Sequence, residues 1–498
     1  MAQQLAVSQK NDERQVQKDR EKAKVLSTPL QQVKEAAPLV FSCLIGAVFW
    51  FLPTPQGMEI KGWHLLAIFA ATLTGIVTKA LPMGACALSA LAVLTATGTL
   101  SLSQALSGFS HRVVWLVFLA FFVAKSFVKT GLGTRIAYFF VGVFGRNSLG
   151  LSYGMTMTDL LLAPAIPSNT ARAGGILYPI IQSLALVFGS SPEKKTQRLI
   201  GGFLMTCAYH SNIITSAMFL TSMAANPLMA ELAGEMGIEI SWGLWALAAS
   251  VPGMLGLLII PWLVYVLYPP DIKKTPQAAA IAKGKLHEMG AMRREEWITS
   301  AIFFLMLLLW VFGSYLGIDS TTAALCGVTL LLILGVINWN DVKEEQLAWD
   351  TFFWFASLIM MASSLNHLGV IHWIAAQVQS YVEGMEWWFA YPLLVLGYFY
   401  SHYFFAGTTA HVSSMFAAFI AVGILVGIPP LVITLSLAFC SSLSACTTHY
   451  GTGPGPILYG SGYVDLATWW KLGGIIGLVH LVVWIGIGTA WWKWLGLW

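Results

Sequence analysis

The segment "PAIPSNTARAGG", Pro164 to Gly175, is a polar break between long apolar runs, and it combines a Ser-Asn-Thr triplet with an arginine. Hydroxyl and amide side chains are good helix caps, and the free N–H groups and positive dipole end of a helix bind anions. Arg172 would cost at least about 2.5 kcal/mol at the centre of a helix in lipid, so we expect it to face a cavity or an anion. The segment "SHYFFAGTTAHVSSMF", Ser401 to Phe416, offers similar groups, with His411 in the place of the arginine. Together the two segments predict a site for a small molecule with an anionic group at each end.

These two segments correspond to each other under an ungapped shift of 239 positions, which aligns the run from Ser168 to Arg172 with the run from Gly407 to His411. A length-preserving match at polar positions indicates an internal repeat, and coincidence among common residues is the alternative. The same shift pairs further landmarks: Leu204 with Leu443, Cys207 with Cys446 and His210 with His449.

A third polar segment is "SSLSACTTHYGTGPGPILYGSG", Ser441 to Gly462. Glycine and proline at this density cannot continue a helix, so we expect a membrane helix to be unwound there. Its counterpart, Ala208 to Pro227, breaks less obviously. Irregular backbone at membrane depth lines a cavity or is buried in protein, and we therefore expect the hairpin tips and broken helices to enclose one site.

The candidate ligands of this site are polar, cationic or backbone-exposing residues of the four segments. His210 and His449 have two open interpretations, since a satisfied core histidine is as good a reading as a ligand. The substrate-binding candidates are Ser168, Asn169, Thr170, Arg172, Asn212, Thr408, Thr409, His411, His449, Gly451, Thr452 and Pro454.

The composition indicates where this site must lie. Of the 498 residues, 57% are hydrophobic and only 10% are charged, with a mean hydropathy of +0.71. Soluble domains have about a quarter of their residues charged, so this is an integral membrane protein in a lipid bilayer. Apolar blocks of nearly bilayer-spanning length predict an all-α polytopic protein rather than a barrel of short alternating strands.

The distribution of basic residues predicts the orientation. Lysine and arginine cluster in the N-terminal tail and in three further segments, which the positive-inside rule places in the cytoplasm: Lys125 to Arg146, Ser191 to Arg198 and Lys273 to Arg294. The segments Met229 to Ser241 and Val382 to Trp388 lack basic residues and are predicted to face outside. The first hairpin then enters from the cytoplasm and the second from outside, which makes an inverted repeat.

The predicted organisation has four parts. Residues 1–34 form a cytosolic N-terminal tail without the apolar core of a signal peptide. Residues 35–270 form a first half with an inner hairpin at about 150–190, and residues 297–498 a second half with an outer hairpin at about 388–427. A cytosolic linker, residues 271–296, joins them.

Some classes of partner are disfavoured. Basic residues are spread over loops, so the net charge of +4 does not indicate nucleic-acid binding. The six cysteines lie in apolar stretches without a CxxC pair, so we expect no metal site of that kind, and we expect no cofactor. An enzyme is disfavoured because Ser441 and Ser442 near His449 lack an evident acid, and a channel because two closing hairpins suit occlusion better than an open pore.

The motifs "SNTARAGGILYPII", "YFFAGTTAHVSSMF" and "THYGTGPGPILYGSGYVD" closely resemble the divalent anion:sodium symporter (DASS) family. The similarity runs from about Ala37 to the C-terminus. It is strongest to the branch of citrate/succinate and tartrate/succinate antiporters and plastid 2-oxoglutarate/malate translocators.

This resemblance implies about eleven transmembrane helices plus two re-entrant hairpins, a homodimer and an elevator motion. In the family the Ser-Asn-Thr triplets at the two tips bind substrate carboxylates and help form sodium sites. That role carries over to Ser168, Asn169 and Thr170, so sodium near Ser168 and Asn169 stays open. At the second tip Gly407 and Thr408 replace serine and asparagine, which puts the second sodium site in doubt.

The function that the resemblance implies is secondary active exchange of di- or tricarboxylates of the malate, succinate, 2-oxoglutarate and citrate class. The altered second tip and the fixed cations at the site favour exchange that is independent of sodium. The alternative is a sodium-coupled dicarboxylate symporter of the same fold. Arg172 and His411 are expected to supply the positive charge that sodium would bring; alternatively, Arg172 pairs with Asp159 and only braces the hairpin. The expected location is the inner (plasma) membrane of a cell, multi-pass with a cytoplasmic N-terminus, or else the plastid inner envelope.

Overall fold

The structure is a computed structural model that describes residues 29–371, 373, 377 and 384–498. Within these residues the regular elements are helices, and one isolated antiparallel bridge joins Asn147 to Lys274. The predicted all-α class is therefore confirmed. Most of the predicted N-terminal tail, and residues 382 and 383 of the predicted outer segment, lie outside the described residues.

In the described residues, eleven longer helices precede residue 290, with short helical turns between some of them. They are α1 (Pro29–Phe51), α2 (Ile60–Val77), α3 (Met83–Ala96), α4 (Arg112–Thr130), α5 (Leu132–Phe144), α6 (Ser148–Leu162), α7 (Ala171–Val187), α8 (Gly201–Met218), α9 (Ala225–Gly234), α10 (Trp242–Leu267) and α11 (Pro276–Met289). Of these, α11 lies inside the predicted polar linker, which is therefore partly helical.

The second half of the chain follows α11. Its described helices are α12 (Arg294–Leu316), α13 (Ser320–Ile333), α14 (Trp339–Glu344), α15 (Gln346–His367), α16 (Trp387–Ser401), α17 (Thr408–Leu425), α18 (Pro430–Leu443), α19 (Pro454–Gly460) and α20 (Leu466–Trp494). In the part of the chain that the structure describes, seven helices are long and apolar enough to cross a membrane: α2, α4, α10, α12, α17, α20 and the segment Pro430–Thr447 that begins with α18. This agrees with a polytopic membrane protein.

Helices α8 and α18 form the centre of the molecule and pack against each other. Every residue from Gly201 to Met218 is buried, and so is every residue from Val432 to Leu443. A helix that is buried on all sides lies in the core of the protein. The irregular backbone that follows each of these helices therefore lies inside the protein as well. Both ends lie next to the predicted polar segments.

Ion pairs tie α14 and the start of α15 to α4. Lys129 Nζ lies 2.5 Å from Asp341 Oδ2, and Lys125 Nζ lies 3.0 Å from Glu345 Oε2. Burial alone would raise the pKa of Asp341, but hydrogen bonds from Lys129 and from the Asn338 N–H, together with the charges of the two lysines, outweigh it and lower this pKa. These contacts hold the first turn of α15 beside the end of α4.

Candidate functional site

The inner tip, residues 167–170, is the turn between α6 and α7. Pro164 and Pro167 cannot continue α6, and Ser168 then caps the returning arm because its Oγ accepts the Ala171 N–H at 3.1 Å. The arm starts with a π-helical stretch, Ala171–Leu177, before it becomes α-helical. Such wide turns occur often at functional sites.

The outer tip, residues 406–410, lies between α16 and α17. A short 3₁₀ turn follows α16, and Gly407 has an extended backbone with φ of 169° before α17 begins at Thr408. A hydroxyl side chain at the N-cap would accept one of the first N–H groups of this arm. The N-cap is instead Gly407, which has no side chain to accept a bond, so the first N–H groups of α17 have no side-chain cap.

Both predicted helix breaks are present. After α8 the backbone is extended at Phe219 and forms a 3₁₀ turn, Leu220–Ser222, before α9. After α18 a 3₁₀ turn, Ser444–Thr447, leads into an extended residue, Thr448, and an irregular stretch that ends at α19. The predicted weaker break in the first half is thus a real interruption of the helix.

The inner tip contacts the second broken helix directly. Asn169 Nδ2 donates to Thr452 Oγ1 at 2.8 Å, and both side chains are buried. A Cβ on Gly453 would lie 1.9 Å from Thr170 Oγ1, so only glycine permits this close approach. The two halves of the chain therefore meet at this point.

Both tips line one cavity of about 680 Å³. The cavity is lined by polar groups of the inner tip, hydroxyls of the outer tip, the turn between α2 and α3 and the first turns of α15. Six candidate residues line it: Ser168, Asn169, Thr170, Thr408, Thr409 and Thr452. Such a concave site with a few convergent polar groups is typical of a small-molecule pocket.

Arg172 does not line this cavity. Its side chain is fully buried, and its Nε lies 2.9 Å from Asp159 Oδ1 on α6. Its Nη1 donates to two backbone carbonyls, those of Ile166 at 2.7 Å and Ser222 at 2.6 Å, and its Nη2 donates to Ser216 Oγ at 2.9 Å. The guanidinium thus joins the inner hairpin to the break after α8, which is the arrangement that the bracing alternative requires.

Asp159 has its own set of donors besides the guanidinium. Asn212 Nδ2 donates to Asp159 Oδ2 at 3.0 Å, and the Thr215 hydroxyl donates to the same oxygen. Asn212 also lies 3.5 Å from the Asn169 carbonyl, so it supports the inner tip from behind rather than lining the cavity. A buried carboxylate with a cation and two further donors is well compensated.

His411 is likewise buried and outside the cavity lining. Its Nε2 lies 2.9 Å from Ser401 Oγ, and its ring packs against Tyr398, His402 and Phe405. It sits behind the outer tip as Arg172 sits behind the inner one. Protein groups surround both predicted cations, so neither side chain reaches the cavity in this arrangement.

The remaining candidates do not line the cavity. The carbonyl of Gly451 accepts from His402 Nε2 at 2.8 Å and from the Thr408 hydroxyl at 3.4 Å, while Pro454 begins α19. His449 Nδ1 accepts the indole N–H of Trp470 at 3.2 Å, so one of its nitrogens has a protein partner. Its counterpart in the repeat, His210, is fully buried in α8.

Sequence reasoning missed two features of the site: His402, which supports Gly451, and Lys79 at the turn between α2 and α3, which lines the cavity. A lysine directly after an apolar helix reads as an ordinary loop charge, so no sequence signal separated it from the residues that set orientation. Among the described residues that line the cavity, Lys79 is the one with an ionisable side chain.

A membrane protein of helices in which two polar hairpin tips and two broken helices meet at one cavity has the architecture of a secondary transporter. The comparisons agree with this class. Residues 33–498 match the family described as "Sodium:sulfate symporter transmembrane region", and the chain belongs to this family. The predicted resemblance to the DASS family is confirmed, and the protein is a transporter rather than an enzyme.

Individual relatives extend the comparison. The chain is 51% identical over 469 residues to "Putative malate transporter YflS" of Bacillus subtilis (strain 168), covering 94% of this chain and 98% of the relative. It is 48% identical over 464 residues to "Dicarboxylate transporter 1, chloroplastic" of Spinacia oleracea, covering 93% and 82%. The crystal structure of the YdaH transporter of Alcanivorax borkumensis shares the fold, with a TM-score of 0.50, 14% identity and coverage of 94% and 98%.

Proposed function

We propose that this protein exchanges dicarboxylates or tricarboxylates of the malate, succinate, 2-oxoglutarate and citrate class across its membrane. The observation that carries the proposal is the meeting of both hairpin tips in one cavity, with donor groups from each half of the chain. Relatives that are named malate and dicarboxylate transporters support the substrate class.

The cavity suits a molecule with a carboxylate at each end. At the inner tip, Asn169 and Thr170 offer amide and hydroxyl groups, and at the outer tip Thr408 and Thr409 lie at the N-terminus of α17. The uncapped N–H groups and the positive dipole end of that helix attract an anionic group. In the part of the lining that the structure describes there is no acidic side chain to repel it.

Exchange without sodium coupling is the form of transport that we propose. Sodium sites in such transporters use backbone carbonyls of unwound segments. Near Ser168 and Asn169 the carbonyls of Ile166 and Ser222 accept from the Arg172 guanidinium, which supports a site that works without sodium there. The alternative is a sodium-coupled dicarboxylate symporter of the same fold.

We further propose an elevator motion, a homodimer and a cytoplasmic N-terminus. The ion pairs of Lys125 and Lys129 lie beside the first turns of α15, whose Thr351 lines the cavity, which supports a cavity that opens toward a basic, cytoplasmic side. The Bacillus relative favours a plasma membrane, and the chloroplast relatives keep the plastid inner envelope as the alternative.

Purified protein in liposomes tests this function. Vesicles are loaded with malate, succinate, 2-oxoglutarate, citrate or buffer alone, and uptake of labelled malate is measured with and without a sodium gradient. We expect uptake only into vesicles that contain a counter-substrate, at the same rate with and without sodium. Sodium-driven uptake into empty vesicles would instead identify the symporter, and absence of any carboxylate uptake would refute the proposed function.

A further inference from the structure

Lys79 occupies an unusual position at the end of α2. The backbone N–H of Lys79 donates to Ile76 O at 3.2 Å and that of Ala80 donates to Gly75 O at 2.9 Å, which is the pattern of a Schellman C-cap. Lys79 takes the left-handed position of this cap, with φ of 55°. That position favours glycine, and a residue with a side chain costs about 1–2 kcal/mol there. The backbone therefore does not explain why a lysine is present.

The side chain of Lys79 is exposed, and Lys79 lines the same cavity as both hairpin tips. No carboxylate of the described residues lies within 4.0 Å of its ammonium group, in contrast to Lys125 and Lys129. Its charge is therefore not neutralised by a close ion pair in this part of the structure. A cation in a cleft with low-dielectric walls concentrates anions there.

Arg172, one of the cations expected near the site, differs from Lys79 because a carboxylate lies close to it. The charge of Arg172 is matched by that of Asp159 at 2.9 Å, so the pair adds little net field in the cavity. The two negative charges of a dicarboxylate need compensation as they leave water. The N-termini of helices supply part of this compensation. Among the described lining residues, Lys79 adds a full positive charge.

We propose that Lys79 is a specificity-determining residue that selects substrates by their number of negative charges. Its ammonium group attracts carboxylates into the cavity and favours dianions and trianions over monoanions of the same shape. This inference rests on the proposed transport of carboxylates and adds the residue that sets the charge preference. Because a Coulomb energy is proportional to the charge of the ligand, the effect of Lys79 on the logarithm of KM should be about twice as large for a dianion as for a monoanion.

Three variants separate the charge of Lys79 from its backbone conformation. Lys79→Gln removes the charge and keeps the left-handed residue, Lys79→Gly removes the charge and relieves the strain, and Lys79→Arg keeps the charge. Lys61→Gln is the matched control, because Lys61 is an exposed lysine at the other end of the same helix and does not line the cavity. The probes are succinate and its monomethyl ester, which differ by one charge on the same skeleton, assayed as substrate and competitor at low ionic strength.

We expect Lys79→Gln and Lys79→Gly to raise the KM for succinate by roughly 3- to 10-fold with little change in kcat, and this difference to shrink as salt is added. The competitive constant of the monomethyl ester should rise by about the square root of that factor. Lys79→Arg and Lys61→Gln should behave like the wild type.

Equal shifts for both probes, a shift that salt does not reduce, or a defect in Lys79→Arg as large as in Lys79→Gln would each overturn the inference. An effect of Lys79→Gln that Lys79→Gly does not share would also overturn it, because the backbone would then be responsible. The proposed function fails separately: wild-type protein would then take up no carboxylate under any loading. Normal exchange by the wild type with unchanged KM in Lys79→Gln would refute only the role of Lys79.

Discussion

Replacement of Arg172 by glutamine removes the charge partner of Asp159 in a place that water does not reach, since both side chains are fully buried. Loss of one partner of a buried ion pair typically costs about 3–5 kcal/mol, because the remaining charge is left without compensation. We expect Arg172→Gln to reduce the free energy of unfolding by about that amount and to abolish exchange. The inner hairpin would lose its connection to the break after α8.

The double variant Asp159→Asn with Arg172→Gln removes both charges together. Its main remaining cost is the loss of donors to the carbonyls of Ile166 and Ser222, at about 1–3 kcal/mol for a buried group left without a partner. The two N–H groups of a glutamine amide can satisfy part of this. The double variant should therefore be more stable than Arg172→Gln alone, although it carries one more substitution.

The assay combines thermal unfolding in detergent, followed by tryptophan fluorescence, with counterflow of labelled malate into loaded liposomes. If Arg172 acts by bracing the hairpin, exchange should return in the double variant together with thermal stability. A double variant that is as stable as the wild type and yet inactive would refute bracing and would assign to Arg172 a direct compensation of substrate charge. Asp159→Asn alone should be unstable, as it leaves the guanidinium unpaired.

Three further predictions follow from the site and its surroundings. Asn169→Ala and Thr409→Ala should each abolish malate binding while the protein still folds, with some loss of thermal stability in Asn169→Ala because Thr452 loses its buried donor. Ser413→Ala, on the same helix as Thr409 but outside the cavity lining, should transport normally, and wild-type rates in either tip variant would show that the tips do not bind substrate. A cysteine at Lys194, which is exposed in the loop Ser191 to Arg198, should react with an impermeant reagent only from the cytoplasmic side and one at the exposed Glu386 only from outside, and labelling of both from one side would contradict the inverted hairpins. Because the pKa of Asp341 is lowered, its pair with Lys129 contributes fully to stability above the unfolded pKa of about 3.9, and this contribution is lost as pH falls through the folded pKa. When the free energy of unfolding is measured against pH, Asp341→Asn should lack this decrease on the acid side. An unchanged decrease in the variant would refute the assignment.

Local properties of the sequence were enough to predict the class of fold and the segments that build the site. Apolar length predicts membrane helices, and the prolines before Ser168 or the glycines after Thr448 stop a helix whatever surrounds them. The repeat relation between the two tips is also a property of the sequence alone. For this reason the inner tip, the outer tip and the second broken helix were expected before any contact was known.

The partners of charged groups depended on tertiary structure. Sequence left Arg172 with two possible anions, a substrate or Asp159, and the choice follows from the face of α6 that packs against the first turn of α7. Hydropathy does not encode that rotation, because a hairpin of either register buries similar apolar area. The structure brought Asp159, Asn212 and Thr215 around the guanidinium and so moved Arg172 behind the cavity.

The same reasoning explains why Lys79 was not recognised from the sequence. A single lysine after an apolar helix has a local explanation as an orientation signal, and its distance from Asn169 and Thr408 along the chain hides any common role. Only the packing of the α2–α3 turn beside both tips gives it a cavity to face. Sequence therefore determined which segments are polar and where helices stop, because these are properties of neighbouring residues; tertiary structure decided which charges meet, because that depends on contacts between segments far apart in the chain.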